Sequence, residues 1–252
     1  MAEGHRLLRV ALIVTTTTST VPAPQPGAAS APALEARSLY RFFHAGEEEI
    51  LALQGVALRL DAGEFVAVSG PSGSGKSTLL SCLAGTDEPD GGTVRVGGER
   101  LSHQPEPVRA LMRAARIGLV FQSANLFQHL TVAENVRLTQ RLAGQSPADA
   151  RVPVDQLLGS LELAGRAGAY PHQLSGGELA RAGLAVALAN DPVVLLADEP
   201  TGELDSATEA AVLDLLRGRA RRGLAVVVAS HSPAVAAAAD RVIRLEDGRM
   251  LS

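Results

Sequence analysis

Residues 70–78 read GPSGSGKST. Gly70, Gly75, Lys76 and Ser77 satisfy the spacing G-x-x-x-x-G-K-[ST], with the apolar run EFVAVS before it and the helical pattern of Lys76–Ala84 after it. A glycine-rich turn between a strand and a helix lets backbone N–H groups point inward around phosphate oxygens, helped by the positive end of the helix. Gly70, Pro71, Ser72, Gly73, Ser74, Gly75, Lys76, Ser77 and Thr78 therefore read as a phosphate cradle. Lys76 reaches the terminal phosphates and Ser77 offers its hydroxyl to Mg²⁺. Lys76 is also the single lysine among 23 Lys and Arg residues. Where positive charge alone suffices the chain uses Arg, so this position requires a compact ammonium on a slim stem rather than a planar fork. The motif alone says only that nucleotide phosphates bind.

Outward from this loop the chain reads as α/β. Strands are expected at Val56–Leu60, Glu64–Ser69, Thr93–Val96, Ile117–Phe121, Val193–Ala197, Leu224–Ala229 and Arg241–Leu245. The runs VVLLA and LAVVVA are apolar throughout, as parallel strands buried on both faces must be. From Asn125 to about Leu174 the spacing is mainly helical. Residues 1–33, with TTTTST and a Pro/Ala-rich stretch, lack periodicity and are expected to form a disordered extension. Aromatics are only 3% of the 252 residues, so the core is aliphatic, and the net charge of −4 argues against a broad grip on nucleic acid. The lone Cys82 excludes an internal disulfide, suits a reducing compartment and reads as a small buried hydrophobe. No apolar run approaches the roughly 18–20 residues of a membrane span.

Two further motifs carry chemistry. Val193–Pro200 (VVLLADEP) is an apolar strand ending in two carboxylates. Asp198 at the strand end is placed to hold Mg²⁺ through water beside the phosphate loop, and Glu199 is the candidate base that polarises the attacking water. Leu174–Glu178 (LSGGE) opens a long apolar helix twenty-three residues before Asp198, counted from Ser175. A Ser-Gly-Gly helix start is a second anion site as well as a good N-cap.

Together GPSGSGKST, Gln122, LSGGE, LLADEP, Asp205 and His231 resemble the nucleotide-binding subunit of ATP-binding cassette transporters, over roughly Leu34 to the C-terminus. YPHQLSGGE and ADEPTGELDS look nearest to the branch serving lipoprotein release and macrolide or antimicrobial-peptide export. The resemblance implies a P-loop NTPase core with a parallel-rich central sheet over 34–252, an antiparallel β subdomain and a helical subdomain at about 125–185. It implies an ATP hydrolase whose two subunits, a homodimer, close head to tail over ATP and Mg²⁺. Ser175, Gly176 and Gly177 would then contact nucleotide held by the partner subunit. Gln122 would approach Mg²⁺, Asp205 would bridge the subunits and His231 would contact the γ-phosphate. The adenine would stack on Phe43, although Tyr40 and Phe42 are near in sequence. An integral membrane permease is the implied partner, placing the subunit in the cytoplasm on the inner face of the plasma membrane. The alternative is a cassette ATPase that regulates a membrane-linked cell-wall or division complex without transport.

Four positions depart from the family pattern: Glu178 where Gln is usual, Val186 in place of a second helix arginine, Glu203 in TGELD, and Ser232 after the histidine where Asp is usual. None removes a catalytic group, so ATP hydrolysis is expected. Lys76→Arg preserves the charge but not the shape. Steady-state ATPase assays are expected to find turnover reduced more than about 100-fold, and normal turnover would sink the geometric argument.

Overall fold

The computed structural model describes residues 31–45, 48–121 and 126–251. Strands β1 (Leu34–Ala45) and β2 (Glu48–Leu60) pair antiparallel, and β4 (Gly91–Val96) and β5 (Glu99–Arg100) extend them to a four-stranded sheet ordered β2-β1-β4-β5. Register brings Leu34 opposite Leu60 and Val96, and Ala36 opposite Leu58 and Val94, so one buried apolar face forms. The sequence expectation began β2 at Val56 and held no strand at β1. The reason is a bulge: Ser38 has φ 48°, and the register shifts between Ala36 and Leu39. The buried positions Leu34, Ala36 and Leu39 therefore break the period of two that identifies a strand.

The second sheet has six strands in the order β10-β9-β3-β8-β7-β6. They are β3 (Phe65–Ser69), β6 (Ile117–Val120), β7 (Val194–Asp198), β8 (Ala225–Ala229), β9 (Arg241–Glu246) and β10 (Arg249–Leu251). All pairs are parallel except β9 with β10. Successive residues serve opposite cores. Val66, Val68, Leu196 and Val227 join one cluster with α1 (Lys76–Ala84) and the antiparallel sheet. Phe65, Ala67, Leu195 and Val226 join the other, with α3 (Val132–Leu142), α4 (Val154–Ser160), α5 (Gly176–Leu188) and α6 (Ser206–Ala220). With each fully buried Val or Leu contributing about 1.5–3 kcal/mol, this double burial selects the unbroken apolar runs. Helix α2 (Glu106–Arg116) leads into β6, and α7 (Pro233–Ala238) into β9. Cys82 is buried in α1, and burial pushes its thiol up to about 12, so it packs as a hydrophobe. Among the described residues, no helix is long and apolar enough to cross a membrane. Of the expected N-terminal extension, residues 1–30 lie outside the described residues.

Helix α5 lies very close on β6. A Cβ at Gly118 would stand 2.5 Å from the Ala187 carbonyl oxygen and 2.8 Å from Leu195 Cδ1. Because the first obstacle is backbone, Gly118→Ala is expected to destabilise the fold by about 1–3 kcal/mol, measured by urea unfolding.

Candidate active site

The loop after β3 turns into α1 through Gly75, the helix N-cap, at φ 101°. A Cβ there would also lie 2.5 Å from the Ala52 carbonyl oxygen, so only glycine fits. Lys76 Nζ donates to the carbonyl oxygens of Gly70 (2.8 Å) and Pro71 (3.0 Å), which draws the ammonium across the mouth of the loop. A cleft of about 750 Å³ opens over it. Its wall holds Gly70, Pro71, Ser72, Gly73, Gly75, Lys76, Ser77 and Thr78 from the loop, with Phe43 from β1 and Asp198, Glu199 and His231 from strand ends. Ser74 is the loop residue not on that wall: it is buried, and among the described residues its hydroxyl has no hydrogen-bond partner.

Glu199 follows β7 with φ 46°, a left-handed conformation that costs about 1–3 kcal/mol in a non-glycine residue. Its backbone N–H donates to Ala229 O at 2.9 Å. Its carboxylate accepts from Ser230 Oγ (2.7 Å) and from the His231 N–H (3.2 Å), and lies 2.9 Å from His231 Nδ1. The Glu199 side chain is 17% exposed and that of His231 78%, so the carboxylate is shielded while the imidazole faces outward. A carboxylate oxygen accepts, so the contact is a hydrogen bond when Nδ1 carries a ring proton.

Phe43 and Tyr40 have different surroundings. Phe43 lines the cleft, with the Arg41 guanidinium 4.8 Å from its ring centre. Arg41 is held in turn by Asp87 and Asp90. Tyr40 instead lies against Gly55 and Gly91, where its ring meets the space a Cβ would need. Gln122 lies outside the described residues.

Ser175, Gly176, Gly177 and Asp205 are not on the cleft wall. Ser175 caps α5 in a reciprocal box: Glu178 N–H donates to Ser175 Oγ (3.3 Å), and Ser175 N–H donates to Glu178 Oε2 (2.9 Å). Arg166 Nε donates to the other oxygen of Glu178 at 2.7 Å. Asp205 caps α6, accepting from the N–H groups of Ala207 and Thr208 and from Thr208 Oγ1. Sequence reasoning missed Ser230, Arg166 and the β9–β10 turn residues Asp247 and Gly248, which also line the cleft. Their contacts cross the fold, so no local spacing announces them.

A family model described as ABC transporter matches residues 53–202. An uncharacterized ABC transporter ATP-binding protein of Methanocaldococcus jannaschii is 39% identical over 218 residues, covering 86% of this chain and 97% of its own. The macrolide export ATP-binding/permease protein MacB of Rhodospirillum rubrum is 44% identical over 220 residues, which cover 87% of this chain and 34% of that protein. Among solved structures, the dimeric post-hydrolysis state of the ATP-binding cassette MJ0796 bound to ADP and Pi superposes with a TM-score of 0.79. Its identity is 37%, over 87% of this chain and 97% of that one.

Glu178 gives a testable pH signature. The Ser175 N–H and then the Arg166 guanidinium hold its carboxyl below the usual range. A depressed folded pKa contributes stability above the unfolded value, about 4.3, and loses it as pH falls through the folded value. Glu178→Gln keeps an oxygen for the cap but loses the ion pair. Its thermal midpoint is expected to lie below wild type at pH 7, with the gap closing below about pH 4.

Proposed function

This chain belongs to the ABC transporter ATP-binding family, an ATP hydrolase by that membership, and we propose that two copies close head to tail over two ATP molecules to drive export through a separate membrane permease. One observation carries the reading. The phosphate loop, Asp198, Glu199 and His231 share a cleft, while the Ser175–Gly177 helix start lies elsewhere on the same chain. Each chain thus offers a phosphate cradle and a separate anion-binding helix start, and a second copy completes the first. The MJ0796 cassette, dimeric and bound to ADP and Pi, supports this arrangement.

In the proposed mechanism the Phe43 ring takes the adenine face and the loop N–H groups take the phosphates. Lys76 leaves the Gly70 and Pro71 carbonyls for the terminal phosphates, exchanging two neutral acceptors for charged ones. Ser77 and Asp198 both line the cleft, and this hydroxyl–carboxylate pair would suit Mg²⁺, a hard cation that takes oxygen ligands. When bound, the ion neutralises phosphate charge. Gln122 is proposed to join that set. Glu199 accepts a proton from the attacking water while Ser230 and His231 fix its carboxylate. His231 turns Nε2 to the γ-phosphate and donates to it with both ring nitrogens protonated, Nδ1–H staying on Glu199. Ser175, Gly176 and Gly177 close on the partner's nucleotide, and Asp205 meets the partner subunit. A permease partner, and with it a place on the inner face of the plasma membrane, draws support from MacB, whose name joins an ATP-binding part to a permease.

Glu199→Gln keeps the shape of the site but cannot take the proton. Light scattering with ATP is expected to find a stable dimer and turnover lowered at least about 100-fold. Extracted in detergent, that trapped form is expected to carry an integral membrane protein. Unchanged turnover would remove Glu199 from the mechanism.

A further inference from the structure

Thr201, Glu209 and Ser232 form a hydrogen-bonded bridge outside the cleft wall. Glu209, in the first turn of α6, accepts from Thr201 Oγ1 at 2.9 Å and from Ser232 Oγ at 2.7 Å, both on the same oxygen. Thr201 is buried just after the Glu199 turn, and Ser232 directly follows His231. Among the described residues no Lys, Arg or His forms an ion pair with Glu209. The chain of bonds continues inward: Ser232 N–H donates to Ser230 Oγ (3.1 Å), which donates to Glu199 Oε2 (2.7 Å).

We propose that Glu209 is a positioning residue that ties the loop after Glu199 to the loop carrying His231, and that it is the reason a hydroxyl rather than a carboxylate stands at 232. This rests on the reading of Glu199 and His231 as the hydrolytic pair. A carboxylate oxygen serves two donors only if both neighbours carry protons, which Thr and Ser do. Aspartate at 232 would cap α7 as well as Ser232 does, but would face Glu209 across a hydrogen-bond distance with like charge. The repulsion would part the two loops and release the bonds that keep Glu199 in its left-handed turn. The bridge thus links Ser232 to Glu209, a pairing that neither residue shows alone.

The test uses the full chain, with steady-state ATP hydrolysis and, separately, binding of a fluorescent trinitrophenyl-ATP probe. Ser232→Asp is expected to lower kcat about tenfold while leaving probe affinity within about twofold of wild type. A defect confined to folding would move both. In Glu209→Gln/Ser232→Asp the amide NH₂ donates to the new carboxylate and the amide oxygen still accepts from Thr201, so kcat is expected to return to within about threefold of wild type. Ser232→Asp with wild-type kcat, or a double variant as slow as the single, overturns the proposal. Should Ser232→Asp fail to fold, Thr201→Val decides: a kcat reduced about threefold with unchanged probe binding supports the bridge, and unchanged kcat overturns it. Wild-type turnover in the same assay tests the hydrolase reading independently.

Discussion

Ala229, at the end of β8, is the hinge of the site. In the parallel register it pairs with Val68 of β3 on one side and Asp198 of β7 on the other. Two backbone bonds carry that register one step beyond the strands: Ser230 N–H to Val68 O at 3.0 Å, and Glu199 N–H to Ala229 O at 2.9 Å. Three chain segments more than thirty residues apart therefore finish side by side, delivering the phosphate loop, the carboxylates and the histidine to one edge. A parallel sheet ends all its strands on the same edge, which is why ligands gather there. The register is strongly specified because both faces are buried, and a one-residue slip would exchange the two cores.

On that edge a strained residue is held in place. Glu199 leaves the strand in a conformation that a side chain disfavours, and hydrogen bonds from the next strand's end oppose its relaxation. Lys76 is managed in a related way, its charge resting on loop carbonyls that a phosphate can outcompete. Glu178 reaches the same end by neutralisation. Its carboxylate closes the capping box with the Ser175 N–H and pairs with Arg166, so its charge is offset by local donors.

Much of this was readable before any coordinates. The loop from Gly70 to Thr78, the acids ending VVLLADEP and the Ser-Gly-Gly helix start each combine a local pattern with a local context, and short-range geometry suffices for them. Strand β1 was not readable, because the bulge at Ser38 moves Leu39 off the alternation. The sequence pointed to Phe43, with Tyr40 and Phe42 beside it; that Phe43 lines the cleft while Tyr40 packs against Gly55 and Gly91 was not readable there. This depends on which side of that bulged strand faces the cleft, and that is a packing property.

By itself, then, the sequence determined that this is an α/β nucleotide-binding chain with a phosphate loop, an acidic strand end and a Ser-Gly-Gly helix start. Each of those is encoded within a dozen or so consecutive residues, where backbone stereochemistry and hydrophobic period act directly. Only the tertiary structure decided which distant groups support them: Ser230 and His231 on Glu199, Arg166 on Glu178, and Thr201 and Ser232 on Glu209. These partners are set by strand register and helix placement. A hydrogen bond requires its atoms within about 3 Å of each other, and no spacing along the chain encodes that distance across a sheet.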